Sequence, residues 1–336
     1  MRSPLGFIVL AAVAALTLSS CSATTQTDAA PDSGAAATVS EVQIVVPAEP
    51  GGGWDQTGRA VSQILTADSI VSTAPVTNIG GAGGTVGLAS LANEKDPNTL
   101  LVTGLVMVGA VETNQAANRM EDTTPIARLT DEALVVVVPA ESKYKTLEDL
   151  VEDIVANGQD VTMTGGSAGG ADHILAGLLL EEAGVAGTEI PKLLNYIPNS
   201  GGGEAVSLIL GNNVSAGISG VGEFVEHIEA GTMRALAVSS ADPVKLLPDT
   251  PTITDAGYDI VLTNWRGLLA PGDITNAERD ALVDVATALH ESDAWVSEMD
   301  TRGWTDAFLV GDEFSDYLAQ NITEVTATLR NIGLVD

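Results

Sequence analysis

The chain of 336 residues contains one cysteine, three histidines and few aromatic side chains. A single cysteine can form neither an internal disulfide nor a cysteine-ligated zinc site. The histidines do not occur at metal-ligand spacings such as H-E-x-x-H, so we predict no metal site. With only 4% aromatic residues, the core must be mainly aliphatic, and the length suits two domains of typical size.

Basic residues are also scarce. The chain has 14 lysines and arginines against 45 acidic residues, a formal net charge of -31. Nucleic acid is not expected as a partner, because phosphate binding needs a basic patch. The same charge repels free anions at long range. Any anion site must therefore be built locally, from backbone N–H groups and helix dipoles.

The first twenty residues, Met1–Ser20, have the pattern of an export signal. A basic residue, Arg2, precedes an apolar stretch over 7–18 that is too short to span a membrane. The segment Leu-Ser-Ser-Cys at 18–21 resembles the bacterial lipoprotein box, in which the cysteine, here Cys21, is lipidated and becomes the first mature residue. A plain secretory signal with a chance cysteine is the alternative. Residues 21–40 are rich in Ser, Thr, Ala and Asp and predict a flexible tether, so we expect the folded part to begin near Glu41, outside the cytoplasmic membrane.

The segment Pro-Gly-Gly-Gly-Trp-Asp at 50–55 lies between a predicted strand, Val42–Val46, and a predicted helix, Gln56–Leu65. Glycines let the backbone approach a ligand closely, and the first N–H groups of a helix have no partner within the helix. Together they favour a carboxylate or a phosphate at this point. The alternative is an ordinary turn between strand and helix, with Asp55 as the N-cap.

The same arrangement recurs three times, which favours a binding site over a chance turn. The further loops span 79–84, 165–172 and 199–203, each between a predicted strand and a predicted helix. None has the G-x-G-x-x-G spacing of dinucleotide folds, and no Walker A lysine follows a glycine, so no nucleotide cofactor is predicted. Ligands of α/β proteins bind at such strand ends.

The remaining pattern predicts an α/β fold with mainly parallel sheets. Thr146 is a predicted N-cap, with Asp149 three residues later. We predict a loop over Gly104–Asn114, and mainly helical structure beyond Pro251. The last predicted helix is capped by Asp312 and carries an apolar stripe that indicates core packing.

The segment Gly-Gly-Ser-Ala-Gly at 165–169 also fits the G-x-S-x-G nucleophile elbow of hydrolases, which would make Ser167 a nucleophile. However, His227 lies in a charged helix and His290 ends a helix beside Glu291. Neither position predicts a buried base oriented by a carboxylate. We therefore expect Ser167 to offer its hydroxyl and N–H groups to a ligand, and no catalysis.

Four other side chains could contribute to a site or to the packing around it. His173 opens the helix after the third loop, where it either donates to a carboxylate or caps local structure. Trp54 either walls a pocket or packs inside the protein. Arg59 is expected to be paired within the fold. Arg266 is a candidate cation near a cleft.

An ordered set of motifs resembles the solute receptors of the tripartite tricarboxylate transporters, often called the Bug family. The resemblance covers 42–335, and its glycine-rich forms look like the tricarboxylate-type branch. The motifs are Pro-x-x-Pro-Gly-Gly-Gly-Trp-Asp at 47–55, Asn-x-x-Gly-Ala-Gly-Gly at 78–84, Gly-Gly-Ser-Ala-Gly-Gly-x-Asp-His at 165–173, Ser-Gly-Gly-Gly-Glu-Ala at 200–205, Ser-Gly-x-Gly-Glu-Phe at 219–224 and Asn-Trp-Arg-Gly at 264–267.

The resemblance implies a two-lobed receptor of the periplasmic-binding-protein type, with residues 41–138 and 240–336 in lobe 1 and 139–239 in lobe 2. It implies a monomeric, non-enzymatic, lipid-anchored protein without a cofactor that delivers a citrate-like tricarboxylate, or a related carboxylate, to integral membrane subunits of the transporter. A lipoprotein that senses carboxylates for a membrane kinase is an alternative with the same fold. The predicted ligand-binding residues are Gly51, Gly52, Gly53, Asp55, Gly81, Ala82 and Gly83 in lobe 1, and Ser167, Ala168, His173, Ser200, Gly201 and Ser219 in lobe 2.

Overall fold

A computed structural model describes residues 39–200 and 202–336. The predicted export signal, Cys21 and Gly201 lie outside the described residues. The strands are β1 Gln43–Val46, β2 Val76–Asn78, β3 Thr99–Gly104, β4 Thr124–Pro139, β5 Thr162–Gly165, β6 Asn195–Pro198, β7 Ala216–Gly220, β8 Met233–Val238, β9 Thr263–Ala270 and β10 Thr305–Val310. The helices are α1 Gly53–Ala67, α2 Thr85–Leu91, α3 Leu105–Thr113, α4 Leu147–Asn157, α5 Ala171–Glu182, α6 Ile190–Leu193, α7 Gly202–Leu210, α8 Val221–Glu229, α9 Asn276–His290, α10 Asp293–Arg302 and α11 Gly311–Asn331.

The long strand β4 joins two groups of strands. Its first part pairs with β9 and β10, and β9 continues through β3 and β1 to β2. Its second part pairs with β7 and β8, and β7 continues through β5 to β6. Pairs along β2-β1-β3 and β7-β5-β6 are parallel, whereas β4, β8, β9 and β10 pair antiparallel. The sheets are therefore mixed rather than mainly parallel.

Several predicted local features are confirmed. Thr146 accepts a hydrogen bond from the backbone N–H of Asp149 and closes a capping box at the start of α4. The stripe of α11 packs into the main core, with Phe314, Leu318, Val325 and Leu329 buried. Among the helices of the described ranges, none combines the length and the apolar character that crossing a membrane requires.

Two predictions about local structure were wrong, and a third left out two strands. Residues 104–114 are not a loop, because Leu105–Thr113 forms α3, a helix that is apolar on all sides and mostly buried. The region beyond Pro251 is mainly helical, as predicted, through α9, α10 and α11, but it also supplies β9 and β10, which were not predicted. Asp312 is not the cap of α11 but lies in its first turn, and Val310 occupies the N-cap position.

Candidate functional site

The ends of β1, β2, β5, β6 and β7 meet around a cavity of about 300 Å³. The loops of both strand groups face each other across it, and β9 contributes two polar side chains. This position, outside the carboxyl ends of parallel strands, is where α/β folds bind ligands. The lining residues are Pro47, Ala48, Gly52, Gly53, Trp54, Gly81, Ala82, Gly83, Gly84, Val106, Asn114, Gly166, Ser167, Ala168, Asp172, Pro198, Asn199, Ser200, Gly202, Ser219, Gly220, Glu223, Asn264 and Arg266.

Helix α1 points its N-terminus at this cavity. Its N-cap residue, Gly52, is extended and supplies no side chain, so the first N–H groups are available to groups in the cavity. Asp55 is not the N-cap but lies in the first turn of α1, where its carboxylate accepts hydrogen bonds from Gly51 N–H, Arg59 and Asn78, each 2.9 Å long. Burial disfavours the charged form, but these hydrogen bonds outweigh it and lower the pKa of Asp55.

The second loop presents its backbone to the cavity in an uncommon conformation. Four successive residues, Gly81–Gly84, have positive φ angles, and one of them is the non-glycine Ala82, with a φ of 46°. Left-handed backbone at a non-glycine residue costs about 1–3 kcal/mol and persists where the surroundings enforce it, often at ligand sites. Across the cavity, an added Cβ on Gly83 would lie 3.6 Å from Ser167 Oγ. The two loops therefore approach each other closely.

The third loop is held from within by Asp172. Its Oδ2 accepts a hydrogen bond of 2.6 Å from the backbone N–H of Gly166. Asp172 is only 7% exposed. Burial, and then the charges of Glu223 and Glu132, raise the pKa of Asp172 to about 7 against the lowering effect of the Gly166 hydrogen bond.

His173 supports the same loop from below. Its Nδ1 accepts a hydrogen bond of 3.1 Å from Gly169 N–H, and its ring stacks on Tyr196 with ring centroids 4.2 Å apart. Burial lowers the pKa of His173 to about 4, so the ring is neutral near pH 7. Of the two roles considered for His173, the described contacts are those of a residue that orders local structure.

The side chain of Glu223, on helix α8, reaches across the cavity to the start of α1. Glu223 Oε1 accepts a hydrogen bond of 3.0 Å from Gly53 N–H at the start of α1, and Glu223 Oε2 accepts one of 3.1 Å from Ser219 Oγ. Burial and then the charge of Glu132 raise the pKa of Glu223, while Arg266 and the two hydrogen bonds act in the opposite direction.

Arg266 is the only basic side chain among the described residues that line the cavity. Its guanidinium forms an ion pair with Glu132 of β4, and both side chains are almost completely buried. The guanidinium also lies 3.4 Å from Thr57 Oγ1 and over the ring of Trp304, 5.5 Å from the centroid. Its charge is therefore largely balanced within the protein.

The structure brings nine of the thirteen predicted ligand-binding residues to the cavity: Gly52, Gly53, Gly81, Ala82, Gly83, Ser167, Ala168, Ser200 and Ser219. Gly51, Asp55 and His173 do not line it. Gly51 is exposed beside it, and the other two are engaged in the contacts described above. Gly201 is outside the described residues. That these residues contact a ligand stays a prediction.

Sequence reasoning did not select Asp172, Glu223, Asn199 or Asn264 as site residues, although all four line the cavity. Each falls within or beside one of the motifs that carry the resemblance to the Bug family, so the sequence signal was present. Trp54 both lines the cavity and is buried against Gly84, which combines the two roles considered for it. Arg59 is paired with Asp55, as predicted.

The geometry does not assemble a hydrolase triad around Ser167. Among the described residues that line the cavity there is no histidine. His290 instead stacks on Phe308 and contacts Asp306, 3.1 Å away. His227 is half-buried on α8. A serine nucleophile needs a base within hydrogen-bond reach of its hydroxyl, most often a histidine, and neither of these histidines lines the cavity beside Ser167.

Comparison with known proteins identifies the family of this chain. The family model for the tripartite tricarboxylate transporter family receptor matches residues 59–317. The chain belongs to this family. Protein BugT of Bordetella pertussis is 29% identical over 304 residues, which are 87% of this chain and 89% of BugT. Bug-type receptors are thus related to this chain over most of their length.

Solved structures agree on the fold. The periplasmic binding protein BugD superposes with a TM-score of 0.76 at 23% identity, covering 88% of this chain and 98% of BugD. MatC from Rhodopseudomonas palustris, solved with bound malate, has a TM-score of 0.74 at 20% identity and covers 88% and 99% of the two chains. The chain therefore has the two-lobed fold of periplasmic binding proteins and is an extracytoplasmic solute-binding receptor of a transporter.

Proposed function

We propose that this receptor captures a citrate-like tricarboxylate or a related carboxylate and delivers it to the integral membrane subunits of a tripartite tricarboxylate transporter, without catalysing a reaction. One observation carries the proposal. A cavity of about 300 Å³ is bordered by the N-terminus of α1, the left-handed loop 81–84 and the serine-containing loops 165–172 and 199–203. Backbone N–H groups and hydroxyls bind carboxylates without needing lysine.

The cavity size and the relatives support a small organic acid. Ligand pockets for small molecules start at about 300 Å³, which suits a molecule of malate size rather than a larger cofactor. MatC was solved with malate in the same fold. We assign residues 41–138 and 240–336 to lobe 1 and residues 139–239 to lobe 2. The two strand groups joined by β4 support two lobes, with the change of partners along β4 between Ala133 and Leu134. Closure of the lobes on the ligand is the change that the membrane subunits recognise.

Calorimetric titration of the purified full chain tests the proposal. The ligands are malate, succinate, citrate with and without magnesium, and the aminocarboxylates alanine and 4-aminobutanoate. We expect tight binding of at least one carboxylate and weaker binding by Ser167→Ala, because Ser167 lines the cavity. Ser207→Ala, an exposed hydroxyl on α7, is the matched control and should bind as the wild type does. If no carboxylate binds, the transport assignment is wrong.

We further propose that the chain is a lipoprotein anchored through Cys21 on the extracytoplasmic face of the cell membrane. The lipoprotein box at 18–21 and the following polar tether support this. Incorporation of a palmitate analogue into the wild type, and its loss in Cys21→Ser, is the expected result. A labelled Cys21→Ser variant would contradict it.

A carboxylate sensor would share the fold, so uptake must be measured directly. Deletion of the gene should abolish high-affinity uptake of the ligand that binds in the titration. Unchanged uptake after induction of the transporter would instead favour the sensor.

A further inference from the structure

The side-chain carboxylate of Glu223 lies at the N-terminus of α1, where the backbone N–H groups would otherwise be available to an anionic ligand. It lies at the start of α8, yet its Oε1 takes the Gly53 N–H at the start of α1, 170 residues away in sequence. Its Oε2 is held by Ser219 Oγ. Both carboxylate oxygens therefore have a donor, and the side chain is fixed rather than free to leave.

The surrounding backbone leaves room for this carboxylate. An added Cβ on Gly202 would overlap Glu223 Oε2, and one on Gly53 would lie 3.0 Å from Oε1 and overlap the Arg266 guanidinium. Glycine at both positions lets two main chains from opposite sides of the cavity approach the same carboxylate. The loop geometry is thus matched to Glu223 and not only to a ligand.

The charges around the cavity do not favour a ligand carboxylate next to the carboxylate of Glu223. The one guanidinium of the lining, Arg266, is paired with Glu132, whose Oε1 also accepts the Gly222 N–H at 3.1 Å. No lysine occurs among the described residues that line the cavity. A ligand carboxylate placed beside Glu223 would be desolvated and uncompensated, which is costly.

A second carboxylate, that of Asp172, lines the cavity. Asp172 uses Oδ2 for the Gly166 N–H, and among the hydrogen bonds of the described residues none is donated to its Oδ1. An acceptor without a donor favours a ligand that brings a donor of its own.

On the basis of the carboxylate-receptor function proposed above, we propose that Glu223 is a specificity-determining residue. It fills the anion position at the start of α1, so that the cleft takes a single ligand carboxylate, at the loop 81–84 and Ser167. The remainder of the ligand meets Glu223 and Asp172, and carries a hydrogen-bond donor. The ligand class is an aminocarboxylate, whose ammonium group matches these acceptors, rather than a polycarboxylate.

The experiment titrates the full chain at pH 8 with alanine, 3-aminopropanoate and 4-aminobutanoate, and with malonate, succinate and citrate. The variant is Glu223→Gln, which keeps the size of the side chain and the oxygen that accepts from Gly53 but removes the charge. Glu226→Gln, an exposed change one turn along α8, is the control for net charge. Thermal unfolding of all three proteins shows that they are folded.

We expect an aminocarboxylate to bind the wild type more tightly than any polycarboxylate. Glu223→Gln should shift the affinity ratio toward polycarboxylates by about tenfold or more, because unit charges a few Å apart near a protein surface interact at least that strongly. Glu226→Gln should leave the ratio unchanged. Tightest binding of a polycarboxylate to the wild type, or an unchanged ratio in Glu223→Gln, overturns this inference while the receptor function stands. Absence of binding by all six ligands overturns both.

Discussion

The carboxylate of Glu223 accepts a hydrogen bond of 3.0 Å from the backbone N–H of Gly53, which joins the start of α8 to the start of α1. The two helices belong to opposite sides of the cavity, and both residues line it. Any opening of the cleft that separates these helices must break this hydrogen bond. The same contact therefore shapes the site and resists its opening.

Alanine at either of two adjacent glycine positions at the start of α7 should change the stability of the protein in opposite directions. Gly203 has open space where a Cβ would lie, whereas a Cβ on Gly202 would overlap the Glu223 carboxylate. Alanine stabilises helical positions by up to about 1 kcal/mol relative to glycine, but overpacking costs about 1–3 kcal/mol. We expect Gly203→Ala to raise the midpoint of thermal unfolding slightly and Gly202→Ala to lower it. Equal midpoints for the two variants would show that the Glu223 carboxylate is free to move away.

Asp55→Asn should destabilise the protein near pH 7. The carboxylate accepts hydrogen bonds from Gly51, Arg59 and Asn78, and an amide replaces one acceptor by a donor. A donor or acceptor left unsatisfied costs about 1–3 kcal/mol. The pKa of Asp55 is lowered in the folded state, so its contribution is present above its ordinary pKa of 3.8 and is lost as the pH falls through the lower folded value.

Urea unfolding of Asp55→Asn and of the wild type should therefore differ most near pH 7 and converge below about pH 4. Asp68→Asn, an exposed change just after the last turn of α1, is the control and should match the wild type throughout. A difference for Asp55→Asn that stays constant down to pH 3 would contradict the ionised role of Asp55.

Much of the binding surface was predictable because strand, glycine loop and helix are local patterns. The four loops around the cavity were recognised in this way, as was the cap at Thr146. Helix α3 was missed because its first seven residues, 105–111, are apolar on all sides and give no stripe with the helical period. Strand β9 was missed because it is buried along almost its whole length and therefore shows no alternation.

The acidic residues of the site were missed for a different reason. Nothing local indicates that Glu223 reaches Gly53, or that Glu132 of β4 meets Arg266 of β9, because each contact joins segments more than a hundred residues apart. In an acidic chain each carboxylate looks like one more solvated surface charge. Only the topology, with β4 shared by both strand groups, brings them into one cluster.

A fluorophosphonate probe should leave Ser167 unlabelled. The serine lies in a G-x-S-x-G segment, but no histidine lines the cavity among the described residues, and His173 Nδ1 accepts from the Gly169 backbone instead. Mass spectrometry of the peptide that contains Ser167, with a known serine hydrolase as the positive control, checks this. Stoichiometric labelling that is lost in Ser167→Ala would establish the hydrolase alternative.

Asp172→Asn should stabilise the protein at alkaline pH and change little in acid. The folded-state pKa of Asp172 is about 7, above its ordinary value of 3.8, owing to burial and to the charges of Glu223 and Glu132. Stability from such a group is fully present below pH 3.8 and is lost as the pH rises through about 7. The amide oxygen of asparagine still accepts the Gly166 N–H and carries no charge at any pH.

The difference in unfolding midpoint between Asp172→Asn and the wild type should therefore grow between about pH 4 and pH 7 and level off above pH 7. Asp242→Asn, at an exposed position, is the control, and its difference from the wild type should not change with pH. A flat difference for Asp172→Asn as well would mean that the carboxylate is charged in the folded protein across this whole range, so that its burial is fully compensated by the groups around it.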